Sequence, residues 1–189
     1  MNRVVVESSD WELVQKCQTG ETSAFQELVL RYHQKIFMVI LGLLRNREDA
    51  MEVAQEAFFR AYRKINGFQG GSSFYTWLYR IAVNMAIDAQ RRQKRNHLEF
   101  RENMDGVLEE QNEVEKDPFA SVQDKELRAG LSAAIGDLSE EHKAVIVLRT
   151  SEGMSYKEIG EILGCSEGTV MSRLHYARKK LQGKLKAFL

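Results

Sequence analysis

Between Phe68 and Asn84 the chain interleaves Phe68, Phe74, Tyr75, Trp77 and Tyr79 with Arg80 and Asn84. Rings stack on unstacked bases while a guanidinium holds the backbone, so this mixture suits a single-stranded nucleic acid. A different set stands near the C-terminus. Ser172 and His175 can hydrogen-bond to base edges, and Arg173, Arg178, Lys179, Lys180, Lys184 and Lys186 supply positive charge for phosphates. Those cations would equally complement the dipole of a C-terminal helix. Nothing in the chain points to catalysis: His33, His97, His142 and His175 are scattered, and HExxH, P-loop and GxSxG patterns are absent. Cys17 and Cys165 lie far apart with no CxxC, so no metal and no cofactor are expected, and Cys17 reads as a small apolar residue on a helix's inner face.

The elements that must position these groups are helical. A single proline, Pro118, and no convincing period-two alternation leave long helices as the natural reading. Ser9-Asp10-Trp11-Glu12 has capping-box spacing and opens a helix from about Asp10 to Thr19. A second, about Thr22 to Arg45, carries Phe25, Leu28, Val29, Tyr32, Ile36, Phe37, Ile40 and Leu44 on one face. In a third, Ala50, Val53, Ala54, Ala57, Phe58, Ala61, Tyr62 and Ile65 recur at three and four, and Gly67 closes it. After the loop Phe68 to Ser72, Ser72 or Ser73 caps a fourth helix with Phe74, Trp77, Leu78, Ile81, Ala82 and Met85 inward. Thr76, Arg80, Asn84, Asp88 and Arg91 or Arg92 then form an outward polar track, and Phe68, in its glycine loop, is expected to be exposed.

Toward the C-terminus a helix around Val122 to Ile135 precedes one opened by Ser139-Glu140-Glu141 and carrying Val145, Ile146 and Leu148. A short helix follows Ser155, Gly164 makes the turn, and Val170, Leu174, Ala177 and Leu181 face inward on the last helix. This is the helix-turn-helix pattern, whose second helix enters a major groove. The expected fold is all-α: two helical domains, 1–96 and 120–189, joined by an acidic flexible linker, 97–119.

Charge supports that division. The net charge is zero, which excludes a uniformly basic coating protein, but the two signs are segregated. Arg45 to Arg95 holds ten basic and five acidic residues, and His97 to Pro118 holds two and eight. The longest apolar run, Phe37 to Leu44, is too short to span a bilayer, and the first residues lack a signal-peptide core, so a cytoplasmic protein without membrane insertion is expected.

The runs Val53-Ala54-Gln55-Glu56-Ala57-Phe58, Phe74 through Asn84, and Gly168-Thr169-Val170-Met171-Ser172-Arg173-Leu174 resemble regions 2.2, 2.3 to 2.4, and 4.2 of extracytoplasmic-function sigma factors, in the family's order and spacing. The resemblance implies a non-enzymatic subunit that binds core RNA polymerase and directs it to promoter DNA, held in check by an anti-sigma factor. It implies that Glu52, Gln55, Glu56 and Phe59 face the polymerase. Phe68, Tyr75, Arg80, Asn84, Arg91 and Arg92 would serve the minus-10 element as single strand, with a base flipped into the loop 68–73. Glu167, Thr169, Met171, Ser172, Arg173, His175, Tyr176, Arg178 and Lys179 would serve the minus-35 duplex. Glu52 replaces a frequent Asp, and Met171 and Tyr176 stand where several relatives carry Arg, so the minus-35 preference cannot be carried over. The rival readings are an autonomous helix-turn-helix regulator with a helical sensor domain, which leaves Gln55, Glu56 and the Asn84 track unexplained, and an enzyme.

Overall fold

The computed structural model describes residues 8–103, 130–131 and 133–185, and every regular element among them is helical. In order these are α1 (Asp10–Gln18), α2 (Thr22–Leu44), α3 (Arg47–Lys64), a 3-10 turn (Ile65–Gly67), α4 (Phe74–Asn103), α5 (Glu140–Ser151), α6 (Tyr156–Leu163) and α7 (Glu167–Leu185).

Local chemistry starts most of the helices where the residue types demand. At α1 the Ser9 hydroxyl accepts from the Glu12 N–H at 3.3 Å while the Glu12 carboxylate accepts from the Ser9 N–H at 2.8 Å, closing the capping box. The Asn46 side chain caps α3, Ser73 caps α4, and a second capping box, Ser155 with Glu158, starts α6. The buried stripe of α3 is built from Ala50, Ala54, Ala57 and Ala61, whose small side chains let α2 and α4 approach it closely. Leu28, Ile36, Val39, Ile40 and Leu43 of α2 and Leu78, Ala82, Val83 and Ala86 of α4 complete this core. Cys17 is buried on the inner face of α1, as its spacing implies.

Four expectations are corrected. Phe68 is buried, not exposed: the Gln18 amide donates to the carbonyls of Ile65 and Phe68, both at 2.9 Å, and this clip from α1 turns the ring inward onto Phe74 and Trp77. Thr76 is buried as well, its hydroxyl 2.9 Å from that of Ser73 in the first turn of α4, so the polar track begins at Arg80. Tyr62 is 41% exposed, set edge-on against Phe25 rather than in the core. Finally, α4 runs to Asn103 instead of ending near Arg95, because Leu98, Glu99, Arg101 and Glu102 are good helix formers and acidity alone breaks no helix. The remainder of the linker expected at 97–119, and the helix expected from Val122 up to residue 129, lie outside the described residues.

The C-terminal half is arranged around α5. Lys143 through Leu148 are all buried, and the apolar run Ala144 to Leu148 wraps the whole helix and so needs partners on more than one side. It finds α7 on one side and α2 with α4 on the other, while α6 packs on α4. A β-carbon on Gly42 of α2 would approach Val147 to 3.0 Å, which shows how tightly α2 and α5 meet. Within the helix-turn-helix, a β-carbon on Gly160 would meet the Cys165 carbonyl oxygen at 2.7 Å, so only glycine lets the turn fold this closely on α6.

Candidate functional site

Three surfaces carry the side chains singled out from sequence. The first is a groove of about 1200 Å³ between α3 and α4. Glu52, Gln55, Glu56 and Phe59 form its α3 wall, and Arg91 and Arg92, expected with the strand-binding set, form the opposite wall together with Lys94 and Arg95. Glu52, Gln55 and Phe59 are exposed, and Glu56 pairs with Arg60 one turn on at 2.9 Å. The Phe59 ring is 54% exposed, with the Arg63 guanidinium 5.7 Å from its centre.

The second surface adjoins it. Exposed Arg80 and Asn84 line a cavity of about 300 Å³ with Trp77, Arg60 and Lys64. Arg60 and Lys64 come from α3 and were not among the expected site residues, although Glu56, Arg60 and Lys64 recur every four positions and so share a face. Tyr75 does not join this surface. Its ring packs on Tyr79 at 4.3 Å and on Tyr32 at 6.0 Å, half-buried. Burial, followed by the negative charge of Glu152, pushes its hydroxyl up to about 12. Tyr79 is fully buried beside it, and its hydroxyl is pushed far up by the same desolvation. Phe68 lies beneath this region as part of the core, between Trp11, Phe74 and Trp77.

The third surface is the outward side of α7. Glu167, Met171, Ser172, His175, Tyr176, Arg178 and Lys179 are exposed, while Val170, Leu174 and Ala177 are buried. Tyr176 is 68% exposed, its ring 5.9 Å from that of His142. Thr169 is half-buried and bonded to the Ser166 cap at 2.9 Å. Arg173 is half-buried as well, its guanidinium 3.8 Å from the Cys165 sulfur. Of the other cations on this helix, Lys180 donates to the Asp137 carbonyl at 2.5 Å and Lys184 pairs with the Asp137 carboxylate, which tie α7 to the residues before α5. Arg178 and Lys179 are thus better placed than Lys180 and Lys184 to meet a phosphate.

The comparisons with known proteins follow this division of surfaces. Residues 28–96 match Sigma-70 region 2 and residues 128–181 match Sigma-70, region 4. The chain is 39% identical to the ECF RNA polymerase sigma-E factor of Haemophilus influenzae, over 96% of this chain and 97% of that protein. The chain belongs to the extracytoplasmic-function branch of the sigma-70 family. The RNA polymerase sigma-H factor of Pseudomonas aeruginosa is 35% identical over 98% of both chains, and the sigma-E factor of Escherichia coli K12 is 36% identical over 96% of both. Among solved structures, CnrH in complex with the cytosolic domain of CnrY superposes with a TM-score of 0.69 at 26% identity, covering 95% of this chain and 99% of that one. The sigma factor RpoE from Bartonella quintana, in complex with the anti-sigma factor NepR, gives 0.68 at 26% identity, covering 86% and 96%. In this sigma factor the first two surfaces lie within the region-2 match and the third within the region-4 match.

Proposed function

We propose that the protein is an alternative sigma factor that joins core RNA polymerase and directs it to promoters whose minus-35 element is read as duplex and whose minus-10 element is held as a single strand. The observation that carries this reading is the coexistence, on a chain with full-length sigma-factor relatives, of an exposed helix-turn-helix face and a separate cationic surface beside Trp77.

Each surface suits one task. Ser172 and His175 offer hydrogen bonds to base edges, Arg178 and Lys179 offer charge to the phosphates, and Met171 offers an apolar contact such as a thymine methyl accepts. Arg80, Asn84 and Lys64 serve the exposed strand, with the cations on its phosphates and Asn84 on a base. Glu52, Gln55, Glu56 and Phe59 meet the polymerase, an acidic and aromatic face for a basic partner. The division of labour falls at residues 1–96 and 120–189, and the acidic stretch between them, whose first residues continue α4 to Asn103, tethers the two DNA grips. No nucleotide hydrolysis is needed, because capturing the strand offsets the few kcal/mol that unstacking a base costs. An anti-sigma factor is the natural regulator, since a structural relative is held by one.

The polymerase face is tested by changing Gln55 and Glu56 together to alanine and measuring affinity for core polymerase and thermal unfolding. Both side chains lie outside the alanine stripe of α3, so affinity falls about ten-fold while the melting temperature stays within a degree or two, as expected for surface positions. A large thermal loss at unchanged affinity would assign them to the fold instead.

A further inference from the structure

Beside the loop that follows α3 stands an aromatic ring that lies ahead of the residues matching region 2. Trp11, in the first turn of α1, is 44% exposed, yet it is fixed in place. Its helix is held by the Ser9 capping box, by Leu13, Val14 and Cys17 in the core, and by Asp10, which accepts from Arg31 at 2.6 Å and from the Tyr32 hydroxyl. The ring stands edge-to-face with Phe68, 6.0 Å between centres. Gly70 passes so close that a β-carbon there would meet Trp11 at 3.1 Å, and its φ of +76° is one that other residues rarely adopt. Ring and loop together enclose an open cavity of about 510 Å³, whose rim carries the Gln69 amide and the hydroxyls of Ser72 and Ser73.

We infer that Trp11 is the stacking wall of this cavity and a specificity-determining residue of this chain, receiving one unstacked base of the promoter strand. This rests on the strand-capture reading above. The cavity is built for a base rather than a phosphate: its walls are aromatic, its rim offers neutral hydrogen-bonding groups, and its charged residue, Asp10, is an acid already engaged by Arg31 and Tyr32. A ring held rigid before binding gives up little freedom when a base lies on it, so its stacking is expressed in the affinity. If the ring served only to cover Gly70, any apolar side chain of similar bulk would replace it.

The test uses holoenzyme assembled from the full chain and core polymerase. The probe is a promoter fragment recovered by mapping the start sites that the wild-type holoenzyme uses, prepared with its minus-10 region unpaired. Each unpaired base is replaced in turn by an abasic site. The wild type loses about ten-fold in affinity at the position whose base lies on Trp11, the order of magnitude of one base-aromatic stack, besides the loss at the base that Asn84 holds. In Trp11→Ala and Trp11→Leu the intact probe binds about ten-fold more weakly and the abasic change at that position costs nothing more, whereas Trp11→Phe keeps most of both effects. A Trp11→Leu holoenzyme with the wild-type abasic profile overturns the role of Trp11. A flat profile in the wild type overturns strand capture itself. Trp11→Leu keeps apolar bulk against Gly70, so it decides the matter even if Trp11→Ala does not fold.

Discussion

Asn84 stands exposed on α4 one turn beyond Arg80, with the cations Arg60 and Lys64 of α3 lining the same cavity. A carboxamide in that position can pair with a base edge while Lys64 and Arg80 hold the backbone. Asn84→Ala therefore lowers transcription from a fully paired promoter by about ten-fold, the loss of one good base contact, and leaves core-polymerase affinity unchanged. Equal losses in run-off transcription and in polymerase binding would contradict that assignment. Single residues are legible in the sequence where periodicity alone decides them. Asn84, Arg80, Ser172 and His175 are outward because the apolar residues of their helices recur at three and four on the opposite face. Phe68 is not legible, because its direction is set by Gln18, fifty positions away, through a backbone contact that no local pattern announces. Thr76 escapes the periodicity of the rest of α4 because a capping turn draws its hydroxyl inward toward Ser73.

Among the elements, α5 shows how a helix can join two bundles. Its cap and start are evident from Ser139-Glu140-Glu141, but the unbroken apolar run Ala144 to Leu148 also signals more than one packing partner, and that signal separates a helix on one domain's rim from one seated between two. The seat is trimmed by charge. Lys94 of α4 reaches Glu140 at 2.5 Å and Arg91 reaches Glu141 at 3.3 Å. The Lys94 ammonium, donating to the Glu140 carboxylate, holds that carboxyl below its ordinary 4.5. The contribution of such a depressed acid is complete above its ordinary value and is lost as pH falls through the lowered one. Amide exchange across Ala144 to Leu148 therefore quickens as pH drops below 4.5, after correction for the intrinsic rate, and in Lys94→Ala that acid-induced quickening is reduced, because the Glu140 carboxyl returns toward its ordinary value. Because Lys94 is more than half exposed, the pair is worth under about 1 kcal/mol and weakens with salt. Identical pH profiles for the two proteins would show that α5 is held by its apolar faces alone.

On the scale of the whole molecule, zero net charge conceals a basic α4 and α7, an acidic α3 wall and an acidic stretch of sequence from His97 to Pro118, and this segregation is readable from the order of the residues alone. The helical class and the two-part order are readable for a related reason: nearly every helix start carries its own cap, and proline is almost absent. The mutual packing of the halves is not readable, since it depends on fits such as Gly42 against Val147 that join residues about a hundred positions apart. Two modest DNA grips on one polymerase-bound chain gain affinity through their effective concentration, so the isolated protein binds duplex DNA feebly and the holoenzyme binds promoters well. The most direct measurement is transcription from random DNA fragments by core polymerase with and without the purified protein, followed by sequencing of the transcript starts. With the protein, starts cluster downstream of two shared elements, one near minus-35 and one near minus-10. Starts that are the same with and without it would contradict the account.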